Sequence, residues 1–301
     1  MGIERVQGNG LAIAYETLGD PADPPLVLVA GLGRQLIGWP DGFLRALVER
    51  GHFVVRFDNR DVGESTHLHD APQPDLRACL AGDASSAPYS LSDMAGDVGG
   101  LLDALGIDSA HLAGVSLGGM IAQTVAIEQP GRVRSLTSIM STTGERSGSR
   151  ATPEALAVLL QPPARSREEA VDRAVEGARV IGSPGFSMDE AAIRDVAARA
   201  FDRGYDPRGI ARQLAAVQAS GDRTEPLRAL RVPTLVIHGE EDPLIPATGG
   251  RATAAAIEGA ELLTIPGMGH DLPSGVWTQI AEAIAGLVAR AERERAAAGV
   301  G

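Results

Sequence analysis

The sequence predicts an α/β protein, a mostly parallel central sheet flanked by helices and interrupted by a helical insertion. Three observations carry that prediction. Short apolar runs of strand length alternate with segments that are apolar at helical spacing. Gly114-Val115-Ser116-Leu117-Gly118 sits between a strand-like run, Ala110-His111-Leu112-Ala113, and a helix-like stripe over Gly119–Val125. The alternation then stops between about Ser141 and Glu225 and resumes afterwards.

Taken in order, residues 3–18 read as two strands joined by Asn9-Gly10, the favoured hairpin dipeptide. Asp20 to Pro25 breaks the pattern. Leu26-Val27-Leu28-Val29 is a continuous apolar run suited to a strand buried on both faces. It ends in the glycine turn Ala30-Gly31-Leu32-Gly33-Arg34. A helix over Gly42–Arg50 leads to the strand Phe53–Phe57, and Asp58 to Ser65 turns out of it. Residues 66–89 are polar and rich in turn formers, which predicts a surface loop. Ser90-Leu91-Ser92-Asp93 has the form of a capping box, and Met94, Val98, Leu101, Leu102 and Leu105 then keep helical spacing. Leu136–Met140 is the next strand. The stretch 141–225 has no strand-like run; Ala170, Val171, Ala174, Val175 and Ala178 are spaced helically. Thr234–His238 resumes the strands, followed by a helix near Ala252–Ile257 and the strand Glu261–Ile265. Val276, Ile280, Ile284 and Val288 mark a final amphipathic helix, and Arg290 to Arg295 extends it as a solvated tail.

Composition limits the function. With 301 residues and 44% hydrophobic content the chain supports a well-buried core. The net charge of −12 disfavours nucleic acid and anionic membrane surfaces as partners. The apolar runs are too short to cross a bilayer, and Met1 to Val6 lacks a signal-peptide segment or a myristoylation site. Cys79 is the single cysteine, so neither an internal disulfide nor a thiolate metal site is expected. A cytoplasmic address is the default expectation. Gly8-Asn9-Gly10 is a turn, not a dinucleotide fingerprint, and no G-x-x-x-x-G-K-[ST] loop is present.

The G-x-S-x-G stretch carries the chemistry. A serine on a sharp strand-to-helix turn projects its hydroxyl above the sheet, and the N–H groups that open the helix face any charge developing beside it. A serine hydroxyl needs a base within hydrogen-bond reach and a third group to orient that base. On a parallel sheet these come from loops at the carboxyl ends of strands. The acid candidate is Asp242 in Gly239-Glu240-Glu241-Asp242-Pro243, with Glu240 and Glu241 as close competitors. Asp242 is preferred because it lies further from the strand end and Pro243 and Pro246 stiffen the turn. The base candidate is His270 on Pro266-Gly267-Met268-Gly269-His270, just after the last strand. The other histidines fit structural positions: His52 and His111 at strand starts, His67 and His69 in the polar loop, His238 at a strand end. No close His/Asp/Glu spacing suggests a metal site. Oxyanion donors are expected at Leu117 N–H and, from the glycine turn, Leu32 N–H.

Together these four pieces resemble the α/β-hydrolase family over essentially the whole chain. The resemblance implies the α/β-hydrolase fold, with a core of residues 1–140 and 226–301 and a helical cap at 141–225. Gly38-Trp39-Pro40-Asp41, Phe57 to Ser65 and Ile265 to His270 are similar to the aclacinomycin-methylesterase-like carboxylesterases. Two positions depart from the family pattern. Ala30-Gly31 replaces the usual His-Gly, and Asp61 occupies the fourth position of D-x-R-G-x-G-x-S, which leaves that turn's conformation open. Asp58, Arg60 and Trp39 read as structural supports. Ser116 at the elbow argues against haloalkane dehalogenase and epoxide hydrolase chemistry, which needs a carboxylate there.

The expected function is hydrolysis of a small to medium apolar ester, including methyl esters, through an acyl-enzyme on Ser116, with no cofactor and no metal. The apolar composition of 141–225 suits an apolar acyl or alcohol group. The alternatives are cofactor-free perhydrolysis, lactone opening or C–C bond hydrolysis by the same triad, and a non-catalytic ligand-binding protein on the same fold. The oligomeric state is not readable from the sequence.

Overall fold

The computed structural model describes residues 2–145 and 150–299; residues 146–149, within the expected insertion, lie outside the described residues, as do Met1, Val300 and Gly301. The chain opens with β1 (Glu4–Gly8) and β2 (Leu11–Leu18), an antiparallel pair turned at Asn9 and Gly10. Next come β3 (Pro25–Val29), α1 (Asp41–Val48), β4 (Phe53–Phe57), α2 (Leu76–Ala81), α3 (Leu91–Ala104), β5 (Ala110–Val115), α4 (Leu117–Glu128) and β6 (Val133–Ile139). Helices α5 (Pro153–Leu159), α6 (Arg167–Ile181), α7 (Glu190–Gly204), α8 (Pro207–Ser220) and α9 (Thr224–Arg228) precede β7 (Thr234–Gly239). The chain closes with α10 (Ala247–Ala256), β8 (Glu261–Ile265) and α11 (Trp277–Ala297).

The strands form one sheet in the order β1-β2-β4-β3-β5-β6-β7-β8. β1 and β2 pair antiparallel, as do β2 and β4; every other pairing is parallel. β6 and β7 are direct neighbours, so α5–α9 are inserted between two adjacent strands of a continuous sheet.

Period-two alternation explains why both sheet faces are covered. In β3, Val27 and Val29 join the apolar cluster with Leu112, Leu101, Leu102, Ile121 and Val125 from β5, α3 and α4. Leu26 and Leu28 point the other way, onto Phe43, Leu44 and Leu47 of α1 and Ile280, Ile284 and Leu287 of α11. Burying each such leucine contributes about 1.5–3 kcal/mol. The capping box that starts α3 is present: Asp93 accepts from Ser90 N–H at 2.8 Å and Ser90 Oγ accepts from Asp93 N–H at 3.4 Å.

Two expectations need correcting. The polar 66–89 segment contains α2, capped by Asp75, whose carboxylate accepts from Ala78 N–H at 2.9 Å. Six residues are too few to show a helical stripe, and only Cys79 of the six is buried. Helix α10 starts at Ala247, well before Ala252, because Gly249 and Gly250 conceal its first turn.

Candidate active site

Ser116 lies between the end of β5 and the start of α4 with φ 56° and ψ −119°, a left-handed backbone that costs a non-glycine residue about 1–3 kcal/mol. The surroundings hold it there. Its N–H donates to the Ile139 carbonyl at 2.9 Å, and its carbonyl accepts from Gly119 N–H and from Ser141 Oγ at 2.8 Å. The flanking glycines are needed for close approach. A Cβ on Gly114 would collide with the Gly118 carbonyl, and one on Gly118 would collide with the Val29 carbonyl of β3.

His270 and Asp242 reach this serine from the ends of the next strands. Ser116 Oγ lies 3.0 Å from His270 Nε2, and His270 Nδ1 lies 2.6 Å from Asp242 Oδ2. The structure therefore brings together Ser116, Asp242 and His270. Glu240 and Glu241 are exposed, and Glu241 accepts from Gly267 N–H at 2.6 Å, which ties down the histidine loop. Asp242 Oδ1 accepts from the Leu244 and Ile245 N–H groups, both at 2.9 Å, so its other oxygen faces the imidazole. Burial opposes ionisation of Asp242. It is outweighed by the His238 ring 3.6 Å away, the hydrogen bond and charge of His270, and the Ile245 N–H, so the carboxyl is held down to about 2. His238 itself gives its Nε2 proton to the Ile245 carbonyl at 2.7 Å.

The glycine turn after β3 abuts the elbow: a Cβ on Gly31 would lie 3.5 Å from Ser116 Cβ. Arg34 N–H donates back to Gly31, and Gly33 N–H donates to Gln213 Oε1 of α8 at 2.9 Å. Leu32 N–H is left without an acceptor among the described residues, and Leu117 N–H opens α4, where no intrahelical acceptor exists.

Several contributors to the site carry no sequence signal. Gln213 is fully buried and bridges the glycine turn to the Arg60 carbonyl, donating to it at 2.8 Å. The loop bearing His270 rests on the end of α6: His270 N–H donates to the Ile181 carbonyl at 2.6 Å and Gly269 N–H to Ser183 Oγ at 2.9 Å. Ser183 Oγ donates in turn to Asp271. Burial pushes the Asp271 carboxyl up, against that hydrogen bond and the charges of His270 and Arg34. These partners lie far apart in the chain, and no local pattern connects them.

The expected supports occupy defined places. Asp58 accepts from Leu36 N–H at 2.6 Å and Glu64 N–H at 2.9 Å and pairs with Arg203 of α7. Arg60 pairs with Asp97 at 2.6 Å and covers the Tyr89 ring; Trp39 stacks on Phe43. Asp61 keeps the left-handed backbone that glycine would supply, with φ 68°. Its carboxylate takes a two-pronged hydrogen bond from Arg212 of α8 at 2.6 and 2.8 Å, a third from Tyr89 and a fourth from Leu68 N–H. Burial opposes that charge; the hydrogen bonds from Arg212, Leu68 and Tyr89 hold it below the ordinary range. Outside this site the fold also gathers His67, His69 and Asp206, which the sequence keeps far apart.

A serine, imidazole and carboxylate in line, at the carboxyl ends of parallel strands and beside two free N–H groups, is an arrangement for nucleophilic acyl transfer. Residues 24–181 match the α/β hydrolase fold family, and residues 211–296 match the TAP-like protein family. The chain belongs to the α/β-hydrolase family. It is 32% identical over 300 residues to a rhodomycin D methylesterase of Streptomyces peucetius, covering 93% of this chain and 95% of that one. A 3-oxoadipate enol-lactonase of Acinetobacter baylyi is 27% identical, with 82% of each chain covered. Among solved structures, a hydrolase from Pseudomonas aeruginosa superposes with a TM-score of 0.69 at 27% identity, covering 96% of this chain and 97% of its own. No helix among the described residues is long and apolar enough to cross a membrane.

Proposed function

We propose that this protein is a serine carboxylic ester hydrolase in which Ser116 is the nucleophile, His270 the base and Asp242 the orienting acid. The observation that carries this reading is the unbroken relay from Ser116 Oγ to His270 Nε2 at 3.0 Å and from His270 Nδ1 to Asp242 at 2.6 Å. His270 takes the Ser116 proton as the oxygen attacks the ester carbonyl. Asp242, ionised at any working pH, accepts from Nδ1–H, fixes the tautomer and stabilises the imidazolium that forms. Leu32 and Leu117 N–H groups receive the oxyanion. The same imidazole then protonates the leaving alcohol and activates the water that releases the acid.

The substrate class proposed is a small to medium apolar ester, with methyl esters first because of the methylesterase relative. Helices α5–α9 act as a cap over the site, the end of α6 seating the histidine loop and α8 seating the oxyanion turn. A second reading, lactone opening by the same groups, is favoured by the enol-lactonase relative.

Stopped-flow hydrolysis of a short-chain p-nitrophenyl ester by wild type and Ser116→Ala tests the assignment. A burst of p-nitrophenol in the wild type alone supports an acyl-enzyme on Ser116. Equal turnover by the two proteins removes Ser116 from the mechanism. Methyl esters and enol-lactones compared at matched concentration then separate the two substrate readings.

A further inference from the structure

His67 and His69 come from the loop after β4, and Asp206 caps the N-terminus of α8. Their ligand atoms all lie within 4.8 Å of one another. His67 Nδ1 is 2.9 Å from Asp206 Oδ2, and His69 Nδ1 is 3.9 Å from the same oxygen. The other nitrogen of His67 is committed: Nε2 lies 2.9 Å from the Gly63 carbonyl oxygen, which only accepts, so Nε2 carries hydrogen. Nδ1 therefore turns either a lone pair or a second proton toward a carboxylate. A lone pair facing a carboxylate oxygen at this distance is repulsive, so the gap calls for a cation, either a proton or a metal ion.

The surroundings favour a metal. Asp206 Oδ1 accepts from Arg208 N–H at 2.9 Å and the carboxylate also accepts from Gly209 N–H, while Oδ2 faces both imidazoles. Arg212 approaches Oδ2 at only 3.4 Å, being held by Asp61 at 2.6 Å. Ligand atoms around a tetrahedral zinc, bound at about 2.0–2.1 Å, are about 3.3 Å apart. His67 Nδ1 and Asp206 Oδ2, 2.9 Å apart, are at hydrogen-bond distance and would open slightly around an ion, and His69 Nδ1, 3.9 Å from the same oxygen, would close on it. The His67 and His69 rings are stacked, with centres 5.4 Å apart and planes 14° apart, which holds the two side chains together beside Asp206. A second nitrogen anchored on a backbone carbonyl, as His67 Nε2 is, is the usual way a metal-bound histidine is oriented.

We propose that His67 Nδ1, His69 Nδ1 and Asp206 Oδ2 bind one divalent cation of the zinc class, with water as the fourth ligand. Two imidazoles and one carboxylate are a donor set that suits zinc. The cation ties the loop after β4 to the start of α8, and its effect is on stability, independent of the ester-hydrolase reading. Local spacing conceals the site, since Asp206 lies 139 positions from His67.

The test uses the full chain without an affinity tag, stripped with a chelator and titrated with Zn2+ by calorimetry near neutral pH, with thermal unfolding alongside. One Zn2+ per chain is expected at micromolar or tighter affinity, with a raised melting temperature. His69 is exposed, so His69→Ala keeps the wild-type melting temperature without metal and weakens Zn2+ binding at least tenfold. His67→Gln weakens binding likewise. Absence of stoichiometric uptake, or uptake that both substitutions leave unchanged, overturns the proposal and assigns the gap to a proton.

Discussion

The sheet and the helices inserted into it differ in what they bury. Strands β3 and β5 put Leu26, Val27, Leu28, Val29 and Leu112 wholly out of solvent, packed on α1, α3, α4 and α11. Helix α7, by contrast, buries no residue, and α8 buries Arg212 and Gln213 alongside Leu214, Ala215 and Ala216. Apolar burial is non-directional and scales with area. Helix α8 adds Ala216 to the apolar core, and α7 and α8 also make directional contacts: Arg212 to Asp61, Gln213 to the glycine turn after β3, Arg203 to Asp58 and Gln35. The sheet is thus held by amount of surface, and the insertion by a smaller apolar contact together with a few placed charges and one amide. Exposed pairs such as Arg194–Asp172 and Arg167–Asp202 are screened by solvent and add little.

The largest expected effect tests the core. Ser116→Ala should lower kcat by about 10⁴–10⁶-fold in ester hydrolysis while leaving the melting temperature at or above the wild-type value. Next comes the insertion's main anchor. Arg212→Leu leaves the buried Asp61 carboxylate without its cation and should cost about 3–5 kcal/mol in denaturant unfolding. Adding Asp61→Asn should recover much of that loss; equal stability of the single and double variants would show that charge pairing is not what fixes α8. Gln213→Leu removes the acceptor of Gly33 N–H and should reduce kcat by about tenfold with a smaller change in KM, being one step removed from the oxyanion donors themselves.

Two pH experiments sharpen the same contrast. Asp242 is held at about 2, so it stays ionised between neutrality and pH 4. The kcat/KM profile above pH 4 should therefore contain no step from Asp242; a protonated Asp242 carboxyl detected in that range by infrared difference spectroscopy would overturn this. His111, buried in β5 between Ser135 and Glu292, reports on the core. Burial, with Arg134 adding to it, outweighs the attraction of Glu292 and holds His111 down to about 4. The folded state thus refuses a proton that the unfolded chain accepts near pH 6.5, so the stability contribution is complete above about 6.5 and is lost as pH falls toward 4. Melting temperatures of wild type and His111→Gln should converge in slope only if this residue drives none of the decline. The smallest effect is expected on α7, where Arg194→Ala should shift the melting temperature by about 1 °C or less.

Legibility followed the same division. Strands such as Leu26–Val29 and Thr234–His238 announce themselves as unbroken apolar runs because both their faces are buried. Ser116 and His270 stood out because each sits on a local backbone device, glycines around the serine and a glycine loop after the last strand, and the structure places their side chains 3.0 Å apart. Asp242 was harder, since three acids stand together there; the structure separates them by exposing Glu240 and Glu241 and turning Asp242 inward. Helix α2 was hidden by its brevity. At Asp61 the sequence showed a departure without its remedy, which is Arg212, 151 positions away.

What the sequence determined by itself is what is written locally: strand and helix periods, the glycine-flanked turn at Ser116, and the place where the α/β rhythm stops. Those features arise from neighbours a few residues apart, so they are written in the chain as patterns. What only the tertiary structure decided is which distant groups complete them. Gln213 on the oxyanion turn, Ile181 and Ser183 under the histidine loop, Arg212 on Asp61, and the meeting of His67, His69 and Asp206 each depend on how α6 and α8 lie against the sheet. A buried charge or hydrogen-bonding group needs a partner, but any element brought within about 3 Å can supply it. That freedom is why one-dimensional spacing does not reveal the partner.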